Sequence, residues 1–210
     1  MQRPTTLLFA GASLVALSPA AAQQALPQAN DSYFTAAKAA LEQHLQMQPI
    51  TGTARNVILF VGDGMSIPTI TAARIYEGQK RGVDGESNNL VTDTFPYSAF
   101  SKTYSNDGQV SDSAPTATAM VSGVKANNGT LGVNASVLEG DCAAGLKGGV
   151  TSIFEQAEAE GRATGVISTA RITHATPAAT YAHTAFRDWE SDKELSDEAK
   201  AAAARTSPAS

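Results

Sequence analysis

The hydrophobic pattern is strongest at residues 56–61, where the apolar segment NVILFV stands between Arg55 and Gly62. A continuous short run of this kind predicts a strand buried on both faces, the central parallel strand of a sheet. GDGM follows, then Ser66 and Pro68, which serve as N-cap and first-turn proline for a helix that runs through TITAARIYEGQKR to Gly82. Upstream, Ala36, Ala40, Leu41, His44 and Leu45 keep helical spacing and predict a helix over 33–47, with His44 on its surface or partly packed. Downstream, 83–93 is a polar loop and Tyr97–Tyr104 alternates as a half-buried strand. SDSAPTATAMVSGVK predicts a helix from Asp112 or Ser113 to about Gly123. Residues 126–149, rich in Asn and Gly, read as an irregular excursion over the surface. A helix over 151–160 stops at Gly161, and Ala163–Ser168 is another apolar strand.

Strand, helix, strand, helix, strand is the order of an α/β fold with a mostly parallel central sheet flanked by helices, whose ligands gather at the carboxyl ends of strands. The tail after Trp189 is charged and alanine-rich and offers no closing strand, so the fold reads as incomplete at its C-terminus. Residues 1–22, MQRPTTLLFAGASLVALSPAAA, have a polar start with Arg3, an apolar run from Leu7 to Leu17 and small residues before Gln23, the layout of a secretory signal peptide. The apolar run is too short for a hydrocarbon core of about 30 Å. The expected division is therefore a signal peptide at 1–22, a helical segment at 23–53 and the α/β domain at 54–210, in a protein exported to a periplasmic or extracellular location.

Composition narrows the partners. In 210 residues, 15 Lys and Arg face 20 Asp and Glu for a net charge of −5, which is no footprint of nucleic-acid binding. The lone Cys142, in an exported chain, is a free buried thiol, an intermolecular bridge, or half of a disulfide with a partner beyond Ser210.

The chemistry-bearing residues fall at the predicted strand ends. Asp63, between two glycines, is either a metal ligand projecting into the crevice or a cap on the next helix. Ser113, after Asp112 at a helix start, sits where free N–H groups and the helix dipole suit a phosphate and a developing alkoxide; read blandly, one of the pair is simply the N-cap. There is no GxSxG elbow and no GxxxxGK[ST] loop, so activation of that serine by a metal is more natural than by histidine. His174 and Thr176 lie two residues apart before Pro177, where Thr176 is a ligand or a helix cap. Arg187 offers a planar fork for phosphate or is a surface arginine.

Together, NVILFVGDGM, DSAPTATAMVSGVKANNGTLGV and THATPAATYAHTAFRDW resemble, in order, the motifs of the alkaline phosphatases over 56–192. The resemblance implies an exported metal-dependent phosphomonoesterase with two zinc ions and magnesium, and a phosphoserine intermediate on Ser113. It makes Asp63 a bridge between one zinc and the magnesium, Ser113 a zinc-activated nucleophile and Thr176 a magnesium ligand. It also makes Asp112 the group that orients Arg187, Arg187 the phosphate clamp, and His174 a group just outside the magnesium ligands. Substrates are phosphate monoesters, and homodimers are common among relatives. The resemblance is to the first half of the family's domain; His44, His174 and His183 are too few and wrongly placed for two zinc sites. By the same resemblance, Cys142 pairs with a cysteine just past the arginine segment. Two other readings compete: a truncated, noncatalytic fragment that binds phosphate through Arg187 and the helix at Ser113, and a metal-independent serine hydrolase, disfavoured by the missing elbow.

Overall fold

The computed structural model describes residues 26–206, and the signal-peptide expectation at 1–22 lies outside them. The chain divides into two compact units, Met1–Arg55 and Asn56–Ser210. In the first, helix α1 (Ser32–Gln46) starts at Asp31, whose carboxylate accepts from the Tyr33 and Phe34 amides at 2.9 and 3.0 Å. This is the helix anticipated at 33–47, and His44 lies exposed in its last turn.

The second unit is built on helices. α2 (Ile67–Lys80) begins after Ser66 with a proline in its first turn, as expected, although the Ser66 hydroxyl meets Thr69 Oγ1 rather than a backbone amide. A short 3-10 turn occupies Val91–Thr94. α3 (Ser113–Ser122) is capped by the Asp112 carboxylate and ends at Gly123, whose φ of 75° is the left-handed conformation that closes helices at little cost only with glycine. α4 (Cys142–Gly145), α5 (Ile153–Ala159), α6 (Ala175–Ala178) and α7 (Asp197–Thr206) follow. α5 starts with a reciprocal box in which Ser152 and Glu155 satisfy one another's backbone amides.

The core is made of small residues. Ala114, Ala117 and Val121 of α3 pack on Ala175, Ala178 and Ala179 around Leu131, with Phe154 of α5 against them. Alanine at both contact faces lets α3 and α6 approach closely. A second cluster joins Val133, Val137 and Ala185, flanked by Ala144 and Trp189.

Two expectations change here. The surface excursion expected at 126–149 holds only for its second half: Ala126, Thr130, Leu131, Val133 and Val137 are buried, whereas most of 138–147 is exposed, Leu138 and Leu146 included. Side chains replace a sheet in satisfying that backbone, since the Asn127 amide donates to the carbonyls of Ala135 and Val137 at 3.0 and 2.7 Å and accepts from Asn106 at 2.8 Å. Single bridges, Leu131 with Thr184 and Val133 with Gly149, fix the rest. Among the described residues, moreover, no strand forms at 56–61, 97–104 or 163–168. Val57, Phe60, Phe100 and Ile167 are 84%, 90%, 92% and 100% exposed. A buried parallel strand needs neighbours on both edges and helices on both faces, and these segments have neither. The tail forms no strand but a helix: α7 contacts α4, and the half-buried free thiol of Cys142 points at Ala199 O at 3.6 Å.

Candidate active site

Asp112 lies just before α3, and its carboxylate is held by the neighbouring Ala114 amide and by two groups distant in the chain, from Gly129 and Arg187. Oδ1 accepts from the Ala114 amide at 2.6 Å and from Arg187 Nη1 at 2.9 Å, while Oδ2 accepts from the Gly129 amide at 2.6 Å. The Asp112 amide in turn donates to the Asn128 side chain at 3.1 Å. The residue is thus both N-cap and anchor, so the two readings of the sequence coexist.

Ser113 is the first residue of α3, at the helix end where backbone N–H groups lack intrahelical acceptors. Arg187 Nη1 donates to Ser113 Oγ at 3.0 Å as well as to Asp112, and Nη2 lies 3.3 Å from His174 Nε2. A guanidinium only donates, so Nε2 of His174 is the acceptor in this contact and Nδ1 is the other ring nitrogen. That Nδ1 is buried without a partner. Arg187 is one-fifth exposed, and its amide donates to Gly129 O at 2.7 Å, so its backbone binds the loop that grips Asp112 while its side chain binds Asp112 itself. It is not a surface arginine.

The second pairing joins the two ends of the unit. Thr176 Oγ1 donates to Asp63 Oδ2 at 2.7 Å across 113 positions of sequence. Asp63 caps no helix, since the N-cap of α2 is Ser66, and Thr176 stands inside the first turn of α6 behind His174, the residue at the cap position. Both pairs share α6: His174 reaches Arg187 while Thr176, two residues on, reaches Asp63. No hydrogen bond joins Asp63 to Ser113 among the described residues. Asp63, His174 and Thr176 line a cavity of about 530 Å³ with Leu59, Val121 and Ile167. The apolar wall of that cavity is where two of the expected strands lie without a partner.

A carboxylate and a hydroxyl side by side form a hard oxygen donor set, which fits magnesium as part of a larger shell. Zinc is different: no group of three or more His, Cys, Asp and Glu converges among the described residues. His183 is unavailable, because Nδ1 meets Gly132 O at 2.6 Å and Nε2 meets Glu155 at 3.0 Å. Burial alone pushes that imidazole down, but the two acceptors reverse the effect and hold it above its usual value. The residues described here therefore do not fit a zinc site.

Sequence reasoning missed Gly129 and Asn128, which hold Asp112, although both lie in the string NNGT. It also missed Glu190. Its carboxylate accepts from Arg171 Nε and Nη2 at 2.9 and 2.6 Å and from Thr173 Oγ1 at 2.6 Å. The arginine fork and the threonine hydroxyl hold it well below the carboxylate range, at about 2. No local pattern announces such a contact.

A serine at a helix N-terminus under a guanidinium anchored from the other side is suited to binding a tetrahedral oxyanion with a hydroxyl beside it. The model of the family Alkaline phosphatase matches residues 54–208, and the chain belongs to that family. It is 48% identical over 160 residues to the alkaline phosphatase of Gadus morhua, covering 76% of this chain and 34% of that one. To the human tissue-nonspecific isozyme it is 48% identical over 164 residues, covering 78% and 31%. The chain thus spans about a third of the length of the curated relatives it matches. A solved cold-active alkaline phosphatase from a Shewanella species aligns at 36% identity with a TM-score of 0.50, over 61% of this chain and 29% of that one. An alkaline-phosphatase-like fold follows.

Proposed function

We propose that the protein carrying this chain is an exported phosphomonoesterase that works through a phosphoserine intermediate on Ser113. The observation that carries the reading is the pair of contacts through which Arg187 bridges Asp112 and Ser113 Oγ. A substrate phosphate bound at the start of α3 meets the guanidinium of Arg187 and the Ser113 amide, since the Asp112 and Ala114 amides are taken by Asn128 and Asp112 and Pro115 has no N–H. Ser113 Oγ forms a bond to phosphorus as the bond to the leaving alcohol oxygen breaks, and the alcohol departs with a proton. Water then attacks the phosphoserine, the Oγ–P bond breaks, inorganic phosphate leaves and the serine hydroxyl is restored. Asp112 and His174 keep Arg187 in place so that binding the anion does not have to order it.

Asp63 and Thr176 would hold magnesium. A divalent cation, when bound, supplies Lewis acidity that favours the serine alkoxide. Two zinc ions belong to the same proposal through the family, but the residues described supply no zinc site and no step is routed through one. Export by the leader at 1–22, the helical segment at 23–53, the domain from 54 and homodimerisation are further parts of the proposal. So is the mostly parallel sheet, in which the apolar segments at 56–61, 97–104 and 163–168 become buried strands.

The test is Ser113→Ala in the full-length protein with magnesium and zinc saturating. The expected loss in kcat/KM for p-nitrophenyl phosphate is about 1,000-fold or more. A variant within a few fold of wild type, or a wild type that prefers the phenyl diester, overturns the reading.

A further inference from the structure

Glu190 lies three residues past Arg187 and plays no part in the reaction just described, yet it makes the densest set of side-chain contacts on the His174 loop. Its carboxylate takes both arms of the Arg171 fork and the Thr173 hydroxyl, so one side chain spans 19 positions to tie the segment before α6 to the turn that carries Arg187. Arg171 O accepts from the His174 amide at 3.0 Å, which passes the constraint to the residue facing Arg187 Nη2. The far side of the turn is fixed as well, by the Arg187 amide on Gly129 O and the edge-to-face contact of Phe186 with Trp189. A two-point arginine–carboxylate pair sets direction as well as distance. Tyr181 OH, donating to Ile172 O at 2.7 Å, braces the same loop from α6's side.

We infer that Glu190 is a positioning residue for phosphate binding, holding His174 against Arg187 so that the guanidinium meets the anion already ordered. The inference rests on the reading of Arg187 as the phosphate clamp. It opposes what charge alone dictates. Glu190 is a negative group near an anion site, so by Coulomb's law its removal should tighten phosphate. By positioning, its removal should weaken phosphate, because Arg187 loses the fixed acceptor at Nη2 and must be ordered on binding.

The experiment measures inorganic phosphate affinity by titration calorimetry, and KM and kcat for p-nitrophenyl phosphate, in full-length protein carrying Glu190→Ala or Glu190→Gln. The glutamine variant preserves shape and one acceptor, so it guards against a variant that does not fold. Positioning predicts that phosphate dissociation and KM rise together, by about 10-fold in the alanine variant and about 3-fold in the glutamine variant, with kcat within about 3-fold. It also predicts that Glu190→Ala adds nothing to a His174→Ala background. Tighter phosphate binding, a loss of thermal stability and kcat with phosphate affinity unchanged, or additivity with His174→Ala would each overturn it. A wild type that binds phosphate but hydrolyses no monoester removes the phosphatase reading, and the affinity comparison still decides the role of Glu190. A wild type that binds no phosphate removes both.

Discussion

The Ser113–Arg187 region and the apolar segments at 56–61 and 163–168 lie in one unit and differ in almost every physical respect. Around Ser113 the chain is held by contacts between loops and short helices: Asp112 to Gly129, Arg187 to Asp112, Leu131 paired with Thr184. The apolar segments hold residues of higher hydrophobicity, yet Phe60 and Ile167 stand in solvent. Burial of an apolar strand requires its neighbours, whereas a carboxylate clamp requires only the three groups it binds. The Ser113–Arg187 cluster is therefore self-sufficient where the apolar segments are not.

Breaking the clamp has the largest expected effect. Arg187→Ala in the full-length protein should lower kcat/KM for a phosphate monoester by about 100-fold or more, read in steady-state kinetics. Next is the backbone crossing that supports it. Gly132 has a φ of 64°, and a Cβ there would stand 2.1 Å from Ala182 O, so Gly132→Ala should destabilise the unit by roughly 2 kcal/mol or more in denaturant unfolding. Thr118→Val removes the buried hydroxyl oxygen that accepts from the Gly132 amide at 2.9 Å, at an expected loss of about 1–3 kcal/mol by the same measurement.

Much of this was readable in the sequence and some was not, for reasons that differ by residue. Helices α1, α2, α3 and α5 announce themselves through local signals: the spacing of Ala36, Ala40, Leu41 and Leu45, then Pro68, the Asp112–Gly123 frame and the stop at Gly161. Asp112, Ser113, His174 and Arg187 could be named from motifs because each motif is contiguous, and the structure brings these four together. The burial of 126–137 was illegible because Asn and Gly usually mark solvent, and only tertiary contacts reveal that Asn127 satisfies backbone carbonyls. Glu190 was illegible because its partners lie 17 and 19 positions away. The strands expected at 56–61, 97–104 and 163–168 do not form among the described residues, since hydrophobicity says what a segment needs rather than what packs against it.

Smaller effects sharpen the contrast. His183 binds Gly132 O and Glu155, and its pKa is raised while that of Glu155 is lowered despite the burial that opposes the latter. A raised imidazole contributes stability that is complete below its unfolded value of about 6.5 and is lost as pH climbs through the folded value. The wild type should therefore exceed His183→Gln in thermal midpoint near pH 6 and converge with it towards pH 9, as differential scanning across that range would show. Phe60→Ser should change the stability of the 210-residue chain by less than about 0.5 kcal/mol. In the longer protein, where the proposed sheet buries it, the same substitution should cost about 2 kcal/mol or more, and amides of 57–61 should pass from fast to slow hydrogen exchange.

The most direct test of the account is to trap the intermediate. Full-length protein is mixed with a phosphate monoester, quenched in acid during turnover, digested and mapped by mass spectrometry. The account predicts one phosphoryl group on the peptide containing Ser113, absent from Ser113→Ala. Steady turnover with no phosphorylated peptide, or with the phosphoryl group on another residue, would contradict it.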